Sequence, residues 1–134
     1  MITLTRGRVR RCALAAIALA PIALGACGGD DGGSSDPTPP ADATLTVEAL
    51  NLKFDKTYYT ATAGENVIAY LGLDSQKHTL AVIGSDDKQV GKEASVTQGK
   101  VDTISTALAA GTYSLICTVP GHAAAGMKAT LTVS

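Results

Sequence analysis

The sequence predicts an all-β domain over residues 43–134, a Greek-key β-sandwich of about seven to eight strands. Apolar residues in this region alternate with polar ones or run in short stretches, and β-branched residues are frequent. Turn-forming residues separate the stretches. The run Ala107–Ala110 has helix propensity but is too short to nucleate a helix alone. Many short strands in a domain of this size are typical of two packed β-sheets.

The predicted strands are Thr44–Phe54, Tyr58–Thr62, Asn66–Leu73, His78–Ile83, Gln89–Lys92, Val101–Ala107, Thr112–Cys117 and Lys128–Val133. Turn residues such as Asp74-Ser75 and Ala110-Gly111 separate them. Trp is absent and Phe54 is the sole Phe, so Val, Ile, Leu and Tyr must fill the core. Tyr113 lies four residues before Cys117, which suits the tyrosine-corner hydrogen bond of Greek-key sandwiches.

The N-terminal residues 1–26 are typical of an export signal. Four arginines precede a short apolar stretch, Ala13–Leu24, that is too short for a membrane span. Leu24-Gly25-Ala26-Cys27 resembles a bacterial lipobox, in which the cysteine is lipidated and becomes the new N-terminus. The alternative is an ordinary signal peptide in which Cys27 is incidental. Arg10-Arg11 also permits twin-arginine rather than Sec export, although the flanking residues match that signal poorly.

The segment 27–42 consists mostly of Gly, Pro, Ser and Asp. Such a composition buries too little apolar surface to offset the entropy of ordering, so it predicts a lipidated, flexible linker. The predicted organisation is therefore a lipoprotein signal at 1–26, this linker, and one folded domain at 43–134. The protein would be exported and anchored to the cell membrane, with the domain on the periplasmic or extracellular face.

The charge of the folded domain is close to balanced, with seven lysines and eight acidic side chains. Without a basic face, the composition argues against nucleic-acid binding. Cys117 has no obvious disulfide partner, because Cys12 falls in the signal and Cys27 is the predicted lipidation site. A lone thiol in an exported protein needs an explanation, and metal ligation would supply one.

Three candidate metal ligands lie in one run, Cys117-Thr-Val-Pro-Gly-His122-Ala-Ala-Ala-Gly-Met127. A thiolate, an imidazole and a thioether suit a soft, redox-active copper ion. Trigonal Cys/His/His ligation with a long axial Met marks blue-copper electron-transfer sites. Pro120-Gly121 favours a tight turn that would bring His122 back beside Cys117. His78, the other histidine of the chain, is the candidate for the fourth ligand.

Other kinds of site fit these residues less well. Structural zinc sites favour four firm nitrogen or sulfur ligands, and a methionine thioether is not one of them. A binuclear copper centre needs two cysteines on the loop, and a multicopper oxidase needs more histidines than two. Cys–His nucleophilic catalysis would need an orienting third group and an oxyanion site, and neither is recognisable.

Residues 43–134 resemble the cupredoxins, the small blue copper proteins, and the resemblance is specific in residues 111–133 and only topological before His78. Gly111-Thr-Tyr-Ser-Leu-Ile-Cys117 is similar to the strand before the copper cysteine in plastocyanins, and Cys117-Thr-Val-Pro-Gly-His122 is similar to the azurin loop. Gly126-Met127-Lys-Ala-Thr-Leu-Thr-Val133 resembles the closing strand of both. The spacing of four residues on each side of the histidine is most similar to that of auracyanins and rusticyanin.

This resemblance implies a cupredoxin-like sandwich with one copper ion in a type 1 site. His78, Cys117 and His122 would be the equatorial ligands and Met127 the axial ligand. Two departures matter. Thr79 stands where many members have Asn, so the reduction potential of relatives cannot be carried over. The run from His122 to Met127 is one residue longer than in azurin, so the azurin loop conformation should not be assumed.

The function predicted from the sequence is a membrane-tethered copper electron carrier rather than an enzyme. It would be a monomer that passes single electrons between redox proteins, which dock transiently near His122. An uncharged apolar rim of Val119, Pro120 and Ala123–Ala125 would suit such docking. The alternatives are a copper-binding or copper-delivery lipoprotein without electron transfer, and a metal-free β-sandwich interaction module.

Overall fold

A computed structural model describes residues 36–134 of the chain. The predicted signal, Cys27 and the first part of the predicted linker lie outside the described residues. Residues 36–44 contain neither a strand nor a helix, and the Ala43 N–H donates a hydrogen bond to Pro40 O (3.1 Å) in a turn. The division of the chain into signal, linker and domain stays a prediction.

Nine strands lie within residues 45–133, and the described part of the chain contains no helix. The strands are β1 (Leu45–Leu50), β2 (Lys53–Phe54), β3 (Tyr58–Ala61), β4 (Gly64–Gly72), β5 (His78–Ile83), β6 (Gln89–Val96), β7 (Val101–Leu108), β8 (Gly111–Ile116) and β9 (Lys128–Val133). They form a four-stranded sheet, in the order β2-β1-β4-β7, and a five-stranded sheet, in the order β3-β9-β8-β5-β6. The predicted all-β sandwich is confirmed.

Both sheets are mixed, because each contains one parallel pair. β1 lies parallel to β4, with Val47 opposite Tyr70, and β3 lies parallel to β9, with Tyr59 opposite Leu131. All other neighbours are antiparallel. Four of the nine strands, two in each sheet, thus belong to a parallel pair.

The core between the sheets is built from the inward-facing residues of both layers. Its largest fully buried side chains include Tyr70, Ile68, Leu80, Ile104 and Leu115. Phe54 packs edge-on against Tyr70, with ring centroids 6.1 Å apart. Cys117 and Met127 belong to the same apolar cluster. Two of the four predicted metal ligands are therefore continuous with the hydrophobic core.

The predicted first strand, Thr44–Phe54, is wrong, because a turn divides it into β1 and β2. Asn51 and Leu52 have φ of 52° and 60°, and Leu50 pairs with Lys53 across them. Positive φ at both central residues is the signature of a type I′ hairpin turn.

The strand predicted at Gln89–Lys92 is too short, since β6 continues to Val96. The strands at His78–Ile83 and Lys128–Val133 are confirmed with their predicted bounds.

Tyr113 forms the predicted corner hydrogen bond. Its hydroxyl donates to Ala109 O at 2.9 Å, across the turn that opens β8. This bond fixes the start of the strand that leads to Cys117.

Within residues 36–134, no helix has the length and apolar character that a membrane crossing requires.

Candidate metal centre

Three neighbouring strands of the five-stranded sheet bring the predicted ligands to one end of the sandwich. β5 begins at His78, β8 ends at Ile116 immediately before Cys117, and β9 begins immediately after Met127. β8 is antiparallel to both β5 and β9, so the start of β5, the end of β8 and the start of β9 lie at the same end of the sheet. A site at this end of the sheet is built on three neighbouring strands.

The loop between β8 and β9 is folded by a series of backbone hydrogen bonds. The His122 N–H donates to Val119 O (3.1 Å), which closes a turn around Pro120 and Gly121. Gly121 has φ 86°, so this is a type II turn, with Pro at its first central position and Gly at its second. The turn returns His122 towards Cys117, as the sequence predicts.

The side chains of His78, Cys117 and His122 form a compact cluster. One potential ligand atom from each residue lies within 4.8 Å of the other two. Cys117 Sγ is 3.5 Å from His122 Nδ1, and the two imidazole ring centroids are 5.2 Å apart. His78 and Cys117 are buried, whereas His122 is half-buried. The cluster therefore has a closed inner side and one ring that reaches towards solvent.

Met127 is fully buried and is linked by its backbone to Cys117 and His122, the other two predicted ligands of the loop. Its N–H donates to His122 O (3.0 Å), and its carbonyl accepts from the Cys117 N–H (3.1 Å). These bonds hold the backbone of Met127 beside Cys117 and His122, and its role as the axial ligand stays a prediction.

Thr79 connects the cluster to the sandwich. Its N–H points at Cys117 Sγ (3.4 Å), and its Oγ1 accepts from the Thr118 N–H (2.8 Å). Its carbonyl accepts from the Tyr70 hydroxyl (3.1 Å), and burial raises the pKa of Tyr70, which keeps the phenol protonated. Thr118 in turn donates to Glu93 Oε2 (2.6 Å). The backbone beside the sulfur is thus held from both sheets.

Asp74 is a neighbour of the cluster that the sequence reasoning missed. Its Oδ1 lies 2.8 Å from His78 Nε2. Burial raises the pKa of this carboxyl group, but hydrogen bonds from the Asn51 N–H, His78 and the Gln76 N–H together lower it below its usual value. Its spacing of four residues from His78, in the short loop before β5, is the signal that could have suggested it.

The donor atoms fit a copper ion. His78 Nδ1 is buried and has no hydrogen-bond partner among residues 36–134, which is rare for a polar atom in a core. The side chain of His78 belongs to the cluster that also holds a free, buried thiol and a second imidazole. Imidazole and thiolate ligands with a neighbouring thioether are the set that suits copper. A metal ion would give the unpartnered nitrogen its missing partner.

Comparison with solved structures shows the same fold in small copper proteins. Reduced auracyanin from Roseiflexus castenholzii has 25% sequence identity over 71% of this chain and 99% of its own, with a TM-score of 0.61. Auracyanin A from Chloroflexus aurantiacus, described as a "blue" copper protein, has 27% identity over 66% of this chain and 96% of its own, with a TM-score of 0.56. An azurin from Methylomonas sp. strain J has 13% identity and a TM-score of 0.57 over 70% of this chain and 99% of its own, so it supports the fold alone.

A comparison of family models adds a more specific match. None of the curated proteins compared with the chain matches it. The model described as the sulfocyanin (SoxE) domain matches residues 66–134, which is half of the chain and includes every residue of the cluster. With the auracyanin-like fold and the His-Cys-His cluster, this match shows that the chain belongs to the sulfocyanin (SoxE) family of the cupredoxins.

Proposed function

We propose that the protein is a mononuclear type 1 copper electron carrier, with His78, Cys117 and His122 as equatorial ligands and Met127 as the axial ligand. Copper is the cofactor of the cupredoxin family. The observation that carries the proposal is the convergence of two imidazoles and one thiol, with the unpartnered His78 Nδ1 among them. When bound, the metal supplies one-electron redox chemistry between Cu⁺ and Cu²⁺.

The protein would support this chemistry by keeping the site rigid and dry. Cys117 and Met127 pack within the apolar core, and the side chain of His78 has no exposed surface. Strand β5 carries His78, and strands β8 and β9 flank the loop that carries the other three proposed ligands. Little rearrangement of the site should therefore accompany a change of oxidation state. The Thr79 N–H would stabilise negative charge on the cysteine sulfur.

The route for electrons would be the edge of His122, because this ring is the partly exposed member of the cluster. Around it, Pro120, Ala124 and Ala125 are exposed, and Val119 and Ala123 are partly buried. No charged residue occurs between Cys117 and Met127. Such an apolar rim suits brief contact with redox proteins, which typically bind through small interfaces.

The test of this function is electron exchange by the copper-loaded protein. We expect one copper per chain, an intense visible absorption band, and rapid, reversible bleaching when a small-molecule reductant is mixed with the protein in a stopped-flow instrument. A copper-delivery protein would instead lose its copper to a chelator on the same timescale. A colourless protein that binds no copper would contradict the proposal, as well as its copper-delivery alternative.

The axial position can be tested by replacing Met127 with leucine. Because three stronger ligands remain, the variant should still bind copper and stay coloured. Its reduction potential should rise, since the thioether no longer donates electron density to the oxidised site and the axial ligand tunes this potential. Potentiometric titration of both proteins measures the change, and loss of copper binding in the variant would contradict the axial assignment.

We also propose that the carrier is an exported lipoprotein tethered through Cys27. The lipobox-like Leu24-Gly25-Ala26-Cys27 and the following Gly/Pro/Asp-rich segment support this. A lipid anchor on a flexible linker would let the domain reach partners along the membrane surface. In a bacterial host, we expect radiolabelled palmitate to be incorporated into the wild-type protein and not into Cys27→Ser. Equal labelling of the two, or none in either, would count against the tether.

A further inference from the structure

One carboxylate beside the metal centre has a role that neither the family match nor the ligand set assigns. Asp74 lies in the loop before β5 and faces His78, whose side chain has no exposed surface. The two are joined through Asp74 Oδ1 and His78 Nε2 at 2.8 Å. The carboxylate is itself largely shielded, with 16% of its side chain exposed. This contact determines which nitrogen of the ring is available to a metal.

An ionised carboxylate only accepts hydrogen bonds, so the ring nitrogen that faces it must carry a hydrogen. That nitrogen is Nε2, which leaves Nδ1 with a free lone pair in a neutral ring. A hydrogen on Nδ1 would be buried without an acceptor, since this atom has no hydrogen-bond partner in the described residues. Such an unsatisfied buried donor is unfavourable, because it gives up its hydrogen bond to water and gains none in return. The carboxylate at Nε2 and the lack of an acceptor at Nδ1 therefore both favour the tautomer with its hydrogen on Nε2.

The carboxylate is held in place by two backbone groups from different segments. Its Oδ2 accepts from the Asn51 N–H (2.7 Å), and its Oδ1 accepts from the Gln76 N–H (2.9 Å). Asn51 belongs to the type I′ turn between β1 and β2, in the opposite sheet from β5. The turn with its positive φ values thus aims a backbone donor at Asp74, and Asp74 connects the two sheets at the metal end.

We infer that Asp74 is a positioning residue for the metal centre: it fixes the orientation and the Nε2–H tautomer of His78, so that Nδ1 faces Cys117 and His122. The inference rests on the proposed function in one respect, the assignment of His78 as a ligand. Carboxylate partners of metal-binding imidazoles orient the ring and raise its basicity. The negative charge would also favour the more positively charged oxidised state and so lower the reduction potential.

An asparagine at position 74 could not replace the carboxylate, although its size is the same. Asp74 accepts hydrogen bonds at both oxygens, from Asn51 on one side and from Gln76 and His78 on the other. An amide offers one acceptor oxygen and one donor nitrogen, so one side would lose its acceptor. If the amide nitrogen faced His78, the ring would be driven to carry its hydrogen on Nδ1, which is the form that cannot bind a metal there.

The first experiment uses the full-length protein without metal. Long-range ¹H–¹⁵N correlation spectra of the histidine rings report which nitrogen of His78 carries the hydrogen. We expect a single Nε2–H tautomer in the wild-type protein, and a mixed or Nδ1–H ring in Asp74→Leu, which removes both acceptor oxygens. A wild-type ring with its hydrogen on Nδ1 overturns the inference, and so does an Asp74→Leu variant that keeps the pure Nε2–H form.

Asp102→Asn is a matched control, because Asp102 also accepts two backbone N–H groups and one side-chain cation, from Ser95, Thr103 and Lys92. This control should leave the His78 tautomer unchanged. In the copper-loaded proteins, Asp74→Asn should bind copper about 10–100-fold more weakly, the range typical for loss of such a partner, and should have a raised reduction potential. Equal affinities and potentials in the two variants would reduce Asp74 to a structural role and overturn the inference.

The metal-free spectrum of the wild-type protein decides the tautomer on its own, so the inference stays open to refutation even if the Asp74 variants fold poorly. It also separates this inference from the proposed function. A protein that shows the Nε2–H ring but binds no copper would contradict the function and leave the Asp74–His78 arrangement intact. A protein that turns blue with copper, but whose metal-free His78 carries its hydrogen on Nδ1, would support the function and contradict the inference about Asp74.

Discussion

Replacing Cys117 with serine is expected to abolish the intense visible band of the copper-loaded protein. That band requires charge transfer between a thiolate and an oxidised copper ion, and a serine hydroxyl supplies neither the charge nor the soft sulfur donor. Loss of a partner outside the ligand set already weakens metal binding by about 10–100-fold, so loss of this ligand should exceed roughly 100-fold. Visible absorption and copper titration of the purified variant measure both effects.

Thr118→Ser is the matched control for this substitution. It alters the neighbouring exposed residue by one methyl group and keeps the hydroxyl that contacts Thr79 and Glu93. The control should retain the band and the copper affinity. If Cys117→Ser kept the band, the sulfur would not be a ligand, and the assignment of the site would have to be abandoned.

Replacing Gly72 with alanine is expected to destabilise the fold strongly, although Gly72 is not one of the proposed ligands. Gly72 ends β4, and a Cβ at this position would overlap the backbone carbonyl of Thr97 in the turn between β6 and β7. The Gly72 carbonyl also accepts from the Gly99 N–H (2.9 Å), and its N–H donates to Lys100 O (2.9 Å). Because backbone rather than a flexible side chain must move, we expect a loss of roughly 3 kcal/mol in the free energy of unfolding.

Urea unfolding of the metal-free protein measures this loss, with Gly84→Ala as the control. A Cβ at Gly84 would come within 3.0 Å of Asp86 Oδ1, the end of a flexible side chain, and would meet no backbone atom closer than 3.7 Å. We expect the control to lose less than about 1 kcal/mol, as surface substitutions generally do. Equal unfolding midpoints for the two variants would show that the β6–β7 turn can yield at Thr97.

The parts of the fold that the sequence predicts best are the strands with a strong local pattern. The run from His78 to Ile83 is apolar after its first two residues and is preceded by turn residues, and Lys128–Val133 alternates cleanly. The division between β1 and β2 was missed because Leu50 and Leu52 continue the apolar alternation through a turn. Leucine is an unusual residue at positive φ, so nothing in its side chain signals the turn.

The candidate site was predictable to a similar degree. The order and spacing of Cys117, His122 and Met127, together with the scarcity of histidine, were enough to name four residues, and the structure brings three of their ligand atoms within 4.8 Å. Asp74 was not predictable with equal force, because acidic residues are common in loops between strands. Its importance depends on a distance to His78 and on a donor from Asn51, which are properties of tertiary structure.

The position of β9 within its sheet has a consequence for the formation of the metal site. This strand comes from the last residues of the chain, yet it lies inside its sheet between β3 and β8. Without β9, strand β3 would be separated from the rest of the five-stranded sheet, and the loop that carries His122 would lose the strand that follows it. Cofactor loading should therefore require β9 to be in place, and a deletion of β9 should be as harmful as the loss of a ligand.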